Sequence, residues 1–204
     1  VPSTEVGRYI YKNCMRFKLP KERFMSWLEQ ISVDVPNPVQ KMSLKKFDEY
    51  CNAVAGTPCY FTMKIMGLNE NLSEKLAHNI GMFLQITDIL LDVKDDAKMD
   101  RLYVPIEFIK KANIYVSDPE HIVTDKNFAI ARKELASIAE DNLQKAHKII
   151  DKMDKKSALP FNIILNIYEQ YFYAMKVRGW EIISPKPTLS KSKKLAIILK
   201  SIIK

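Results

Sequence analysis

Residues 80–105 read IGMFLQITDILLDVKDDAKMDRLYVP, and this stretch decides the fold class. Asp88, Asp92 and Asp96 follow one another at intervals of four residues. On a helix this spacing places them on one slowly turning stripe, roughly 12 Å long. Apolar side chains cover most of the remaining circumference: Ile86, Ile89, Leu90 and Val93. The stretch therefore predicts a largely buried helix with a single polar face.

Two interpretations of the aspartate stripe stay open on spacing alone. As a solvated face it carries like-charge pairs that cost roughly 0.2 to 0.5 kcal/mol each, and neighbouring lysines offset part of that cost. As a functional face it offers hard oxygen ligands for Mg²⁺, which bridges carboxylates to a substrate diphosphate. Arg101 and Tyr103 follow the helix and could contact the same phosphate, although for each residue taken singly the structural explanation is favoured: helix capping for Arg101 and core packing for Tyr103.

The surrounding sequence predicts further helices and no long strand. A helix over 43–67 should be interrupted by VAGTPCY (54–60), because Gly56 is permissive and Pro58 lacks a backbone donor. Ser73 is the predicted N-cap of a helix that runs to about Asp96, and RLYVP (101–105) is an extended exit. Further predicted boundaries are Asn37 with Pro38 as the end of a first segment, and helices over 105–112, 127–153, 158–178 and 190–203. We predict an all-α protein, one domain over 1–204 with six or so helices.

Composition limits the classes of partner. The chain has 32 Lys and Arg against 24 Asp and Glu, a net charge of +8, but its lysines are scattered among acids. Such scattering is typical of a solvated surface, and no basic and aromatic residues interleave as nucleic-acid binding requires. We therefore expect no nucleic-acid partner.

The three cysteines indicate neither a zinc site nor a disulfide framework. Cys14, Cys51 and Cys59 form no CxxC pair and lie far in sequence from the histidines. A reducing compartment fits them best. No apolar run approaches a membrane span and no signal peptide is visible, so we expect a cytoplasmic location.

Three motifs resemble one known family. Residues 80–105 are similar to the second aspartate-rich motif of the squalene/phytoene synthase family, and YCNAVAG (50–56) is similar to its tyrosine-bearing helix break. RGW (178–180) resembles its presqualene diphosphate synthase branch. The resemblance implies an isoprenoid synthase helical bundle around a central prenyl-diphosphate cavity. It also implies Mg²⁺-dependent head-to-head condensation of two prenyl diphosphates, expected to be farnesyl diphosphate, to presqualene diphosphate, squalene or a phytoene-like product. Nothing indicates NADPH.

The resemblance also implies roles for individual residues. Asp92 and Asp96 match the metal-binding aspartates and, with Tyr168, are the expected catalytic residues. The expected contacts to the prenyl diphosphate substrate are Tyr50, Val54, Ala77, Gln85, Asp88, Arg101 and Tyr103.

Several departures from the family pattern keep a second function open. Asp88 stands where the family has asparagine, Leu91 where it has arginine, and Asp100 where it has glycine. Pro58 and Cys59 replace a valine and a glycine. The first aspartate-rich motif is not found in residues 1–49, so we expect the chain to be the C-terminal portion of the family's domain. The alternative to a transferase is a non-catalytic assembly or scaffolding factor with the same fold.

The C-terminal tail, KPTLSKSKKLAIILKSIIK (186–204), has two interpretations. Its lysines and its apolar residues at helical spacing suit peripheral contact with the inner face of an anionic membrane. A terminal helix that docks its apolar face on the domain is the alternative. The apolar residues concerned are Leu195, Ile198, Leu199 and Ile202.

Overall fold

The computed structural model describes residues 2–32, 35 and 38–203. Within these ranges the chain forms ten α-helices and one π-helical segment, with no strand, so the all-α prediction is confirmed there. The predicted boundary at Asn37 lies outside the described residues. The elements are α1 Glu5–Arg16, α2 Lys21–Ile31, α3 Leu44–Cys51, the π-helical segment Asn52–Gly56, α4 Thr57–Ile65, α5 Glu70–Lys98, α6 Ile106–Lys111, α7 Pro119–Thr124, α8 Phe128–Ile150, α9 Lys155–Arg178 and α10 Lys191–Ile203.

The aspartate-bearing helix α5 lies at the centre of the bundle. It packs against α4, α8, α9 and the π-helical segment, and its core face includes fully buried Leu76, Ile80, Phe83 and Ile86. The predicted N-cap, Ser73, is wrong: Asn69 caps the helix by accepting a hydrogen bond from the backbone N–H of Leu72 at 2.9 Å. The Ser73 hydroxyl instead donates to the Asn69 carbonyl, as serine does inside a helical turn.

The predicted interruption of the 43–67 helix is a π-helical segment at Asn52–Gly56, slightly earlier than expected. Here the backbone of α5 passes directly against it. A Cβ on Gly81 would lie 2.4 Å from the Gly56 nitrogen, a distance that no side chain tolerates. The missing side chain of Gly81 therefore lets the central helix approach the break.

The end of α5 is a Schellman turn. The N–H of Arg101 bonds to the Asp96 carbonyl at 3.0 Å and the N–H of Asp100 to the Ala97 carbonyl at 2.9 Å. Asp100 has a φ of 58°, a left-handed backbone conformation that glycine adopts most easily. This explains why glycine suits this position in the family that the sequence resembles. The exit is non-helical as predicted, and the backbone N–H of Leu102 bonds to the Val39 carbonyl.

The predicted number of helices is too low. The first segment contains two helices, α1 and α2, and the short α7 was missed, whereas α6 agrees with the helix predicted over 105–112. Helix α9 begins three residues early, at Lys155, because Asp154 caps it by accepting from the Ser157 N–H at 3.0 Å.

The C-terminal helix α10 docks on α9 but not through its predicted apolar face. Ser201 accepts a hydrogen bond from the Asn166 amide of α9 at 2.9 Å. Three of the four residues of that face, Leu195, Leu199 and Ile202, are more than half exposed, and only Ile198 is partly buried. None of the described helices combines the length and the apolar character needed to cross a membrane.

Candidate active site

The aspartates of α5 have different surroundings. Asp88 is half-buried, and the Tyr168 hydroxyl from α9 donates to its Oδ2 at 3.2 Å. Burial raises the pKa of the Asp88 carboxyl to about 6, with a further increase from the charge of Asp92, while the bond from Tyr168 opposes the rise. Asp88 is therefore mostly ionised at neutral pH but takes up a proton in mild acid.

Tyr168 holds its proton firmly. Burial, followed by the charge of Asp88, raises the pKa of its hydroxyl to about 12. At neutral pH Tyr168 is consequently a hydrogen-bond donor, and Asp88 is its acceptor. The pair joins two helices whose residues stand 80 positions apart.

One turn further along α5, Asp92 and Asp95 bind a lysine of the protein itself. Lys186 Nζ donates to Asp92 Oδ1 at 2.6 Å and to Asp95 Oδ2 at 3.0 Å. All three side chains are about half exposed. The two carboxylates raise the pKa of Lys186 well above its usual range, and Lys186 lowers that of Asp95. Lys186 and Asp95 thus each favour the charged state of the other.

These groups border an open cavity of about 470 Å³. It combines carboxylates, ammonium groups, tyrosines and aliphatic side chains, a lining that suits a molecule with both charged and apolar parts. Lys194 Nζ lies 5.6 Å from the centroid of the Tyr171 ring. The lining residues are Asp88, Leu91, Asp92, Ile167, Tyr168, Tyr171, Lys186, Pro187, Thr188, Leu189 and Lys194.

Only three of the predicted site residues, Asp88, Asp92 and Tyr168, line this cavity together. The other predicted residues lie elsewhere. Tyr50 and Tyr103 are buried and stack on each other, with ring centroids 5.4 Å apart. Their contact joins α3 to the exit of α5, which is the core role considered for Tyr103.

The remaining predicted residues line no part of the cavity either. Ala77 is fully buried beside the π-helical segment, its carbonyl oxygen 3.6 Å from where a Cβ on Gly56 would lie. Val54 of that segment is partly buried against the core. Gln85, Asp96 and Arg101 are half-buried.

The donor set on α5 fits the coordination habits of magnesium. No group of three or more His, Cys, Asp or Glu side chains placed to hold a metal occurs in the described part of the chain. Mg²⁺ usually takes only one or two carboxylates and completes its shell with water and substrate phosphate. Asp92 and Asp96, one helical turn apart, provide such a pair, and their role as ligands stays a prediction.

Two cations near the site were not singled out from the sequence. Lys186 was counted only as part of the basic tail, and nothing local distinguishes it. Arg132 could have been recognised from the sequence. It lies on the apolar stripe of α8 with Phe128 and Leu135, where an arginine is unusual. Arg132 is 1% exposed and binds backbone carbonyls of α5 and of the segment after α9.

The fold and this cavity define a helical protein with an open site lined by carboxylates, ammonium groups, tyrosines and aliphatic side chains. The squalene/phytoene synthase family model matches residues 3–193, and the chain belongs to that family. The presqualene diphosphate synthase of Sinorhizobium fredii is 28% identical over 180 residues, covering 88% of this chain and 64% of the relative. The phytoene synthase of Narcissus pseudonarcissus is 28% identical over 195 residues, covering 90% and 44%.

Solved structures show the same fold. The crystal structure of a dehydrosqualene synthase in complex with ligand superposes with a TM-score of 0.78 at 18% identity, covering all of this chain and 71% of that one. The squalene synthase of Alicyclobacillus acidocaldarius gives a TM-score of 0.74 at 16% identity, covering 85% and 65%. The predicted isoprenoid synthase bundle is confirmed. The chain spans less than two thirds of the length of the Sinorhizobium relative.

Proposed function

We propose that the protein condenses two prenyl diphosphates, farnesyl diphosphate being the expected substrate, head to head in an Mg²⁺-dependent reaction. The observation that carries this proposal is the cavity that joins Asp92 and Asp88 to Tyr168 and an aliphatic wall. The names of the relatives, presqualene diphosphate synthase and phytoene synthase, agree with it. The product is proposed to be presqualene diphosphate, squalene or a phytoene-like hydrocarbon.

In this reaction, ionisation of an allylic diphosphate breaks a carbon–oxygen bond and leaves the electron pair on the diphosphate. Asp92 and Asp96 are the residues proposed to hold Mg²⁺, which supplies positive charge to the leaving group. Tyr168 keeps its proton and orients its ring through the bond to Asp88. An aromatic face attracts a nearby cation, so the role proposed for Tyr168 is to stabilise the developing carbocation.

The test is turnover of the complete gene product with farnesyl diphosphate and Mg²⁺. Asp92→Asn removes the charged ligand with little change in shape, and we expect at least a 100-fold loss of rate, on the order of 3 kcal/mol of transition-state stabilisation. Asp141→Asn is the matched control, because Asp141 is a carboxylate on α8 that is also paired with a lysine and is somewhat more exposed than Asp92. No turnover with any prenyl diphosphate, or full rate in Asp92→Asn, contradicts the proposal.

A second candidate is a non-catalytic assembly or scaffolding factor. The observation that favours it is that Lys186 binds Asp92, while Leu91, also in the cavity, stands where the resembling family has a cation. Turnover by the complete gene product decides against this candidate. Its absence, together with stable binding of other proteins of the same pathway, supports it.

We also propose a peripheral contact between α10 and the inner, cytoplasmic face of an anionic membrane. Leu195, Leu199 and Ile202 form an exposed apolar stripe, and Lys191 and Lys200 lie exposed on the same helix. Apolar burial and attraction to anionic lipid act together in such helices. Leu199→Ser should weaken co-sedimentation with phosphatidylglycerol vesicles, and equal binding to neutral phosphatidylcholine vesicles contradicts the charge argument.

A further inference from the structure

The segment between α9 and α10, residues 179–190, lies across the aspartate-bearing helix, and we call it the strap. Two sets of contacts attach the strap to α5. On the strap, the first involves Trp180 and Ile182, and the second involves Lys186. One runs through Arg132 and the other through Lys186. Both attachments are made by cations, and both reach α5 within one turn of Asp92.

The Arg132 attachment is buried. Its guanidinium donates to the carbonyls of Trp180 and Ile182 on the strap and, at 3.1 Å, to the carbonyl of Leu90 on α5. The same group lies 5.6 Å from the centroid of the Trp180 ring. A buried arginine that binds three carbonyls on two segments holds both in register, because each lost bond leaves a buried polar group unpaired.

The Lys186 attachment is exposed, and it occupies the carboxylate of Asp92 that is proposed to bind the metal. Lys186 Nζ is 2.6 Å from Asp92 Oδ1. A magnesium ion bound to that oxygen lies about 2.1 Å from it. An ammonium group and a divalent ion on one carboxylate oxygen are then only a few ångströms apart, and their repulsion makes the two forms of occupancy compete.

We propose that Lys186 is a tethered cation that holds Asp92 until a divalent metal displaces it, and that Arg132 is the positioning residue that keeps the strap in place for this exchange. The inference rests on the proposed role of Asp92 as a metal ligand. Metal binding and attachment of the strap are alternatives at one carboxylate. The protein thereby avoids an uncompensated cluster of carboxylates when no metal is bound, and it couples metal entry to movement of the strap.

The experiment measures Mn²⁺ binding to the purified chain by the electron paramagnetic resonance signal of free Mn²⁺, at constant ionic strength and without substrate. Lys186→Met keeps the length of the side chain and removes its charge. The exposed ion pair between Lys186 and Asp92 is worth up to about 1 kcal/mol, so we expect Mn²⁺ to bind about fivefold more tightly in this variant. Lys186→Arg should restore the wild-type affinity. Lys191→Met, an exposed lysine of the same tail, controls for net charge.

Arg132→Lys tests the positioning role. It should also tighten Mn²⁺ binding, and combining it with Lys186→Met should add nothing further, because both changes remove the same competitor. A merely structural change does not tighten metal binding. If Arg132→Lys does not fold, the Lys186 variants still decide on the competition.

The outcomes separate this inference from the proposed function. Wild-type protein that binds Mn²⁺ in an Asp92-dependent way, with no gain in Lys186→Met, overturns the competition and leaves the ligand assignment standing. Wild-type protein that binds no Mn²⁺, or that binds it equally well as Asp92→Asn, overturns the ligand assignment and the inference with it. An equal gain in Lys191→Met shows an effect of net charge alone and also overturns the inference.

Discussion

Replacing Asp88 by asparagine should stabilise the protein at neutral and alkaline pH. The pKa of the Asp88 carboxyl is about 6 in the folded protein against 3.8 ordinarily. Because the folded-state pKa is raised, the cost of ionising Asp88 is absent below the unfolded-state pKa, grows as the pH rises from 3.8 to about 6, and is complete above that range. An amide has no charge to desolvate, and its oxygen still accepts the bond from Tyr168.

The size of the gain follows from the shift. A change of about two pKa units corresponds to at most about 3 kcal/mol at pH 8, and since Asp88 is only half-buried we expect about 2 kcal/mol. With a urea dependence of about 2 kcal/mol per molar, the unfolding midpoint should rise by about 1 M. At pH 4 most of the gain should disappear, because the wild-type carboxyl is then protonated in the folded protein.

The assay is urea unfolding followed by circular dichroism at pH 4 and pH 8. Asp141→Asn serves as the control, since an exposed carboxylate paired with a lysine should change stability by no more than about 0.5 kcal/mol at either pH. A gain for Asp88→Asn that is the same at both pH values, or no gain at pH 8, refutes the reasoning that buried charge at Asp88 is the cause.

Two further predictions concern packing and pH. Gly81→Ala should destabilise the protein by about 2 kcal/mol in the same assay, because its Cβ meets the Gly56 backbone at 2.4 Å and α5 must move away from the π-helical segment; an unchanged midpoint contradicts that contact. The hydrogen bond from His147 Nε2 to Glu169 is 2.7 Å long and raises the pKa of His147 above its usual 6.5. The stability that this pair contributes is therefore complete below pH 6.5. It is lost as the pH rises through the folded-state pKa of His147. Glu169→Gln should lower the His147 pKa in an NMR titration, and an unaltered titration argues against the pair.

Local patterns predicted the helices that carry strong signals. The stripe at Asp88, Asp92 and Asp96 and its apolar surround placed α5 correctly except at its start, where Asn69 caps the helix in place of Ser73. Asparagine and serine are both good caps, so cap preference alone does not decide which of the two begins the helix. The interruption near Gly56 was also recognisable, because proline and glycine act on the backbone nearby.

The sequence by itself determined that this protein is helical, that α5 has one acidic face, and that the chain resembles one family, because periodicity and motifs are local properties. Only the tertiary structure decided that Asp88 binds Tyr168 and that Asp92 binds Lys186. These partners stand 80 and 94 positions away, and no local rule constrains so distant a contact. Burial, which raises the pKa of Asp88, is likewise a property of the packed bundle.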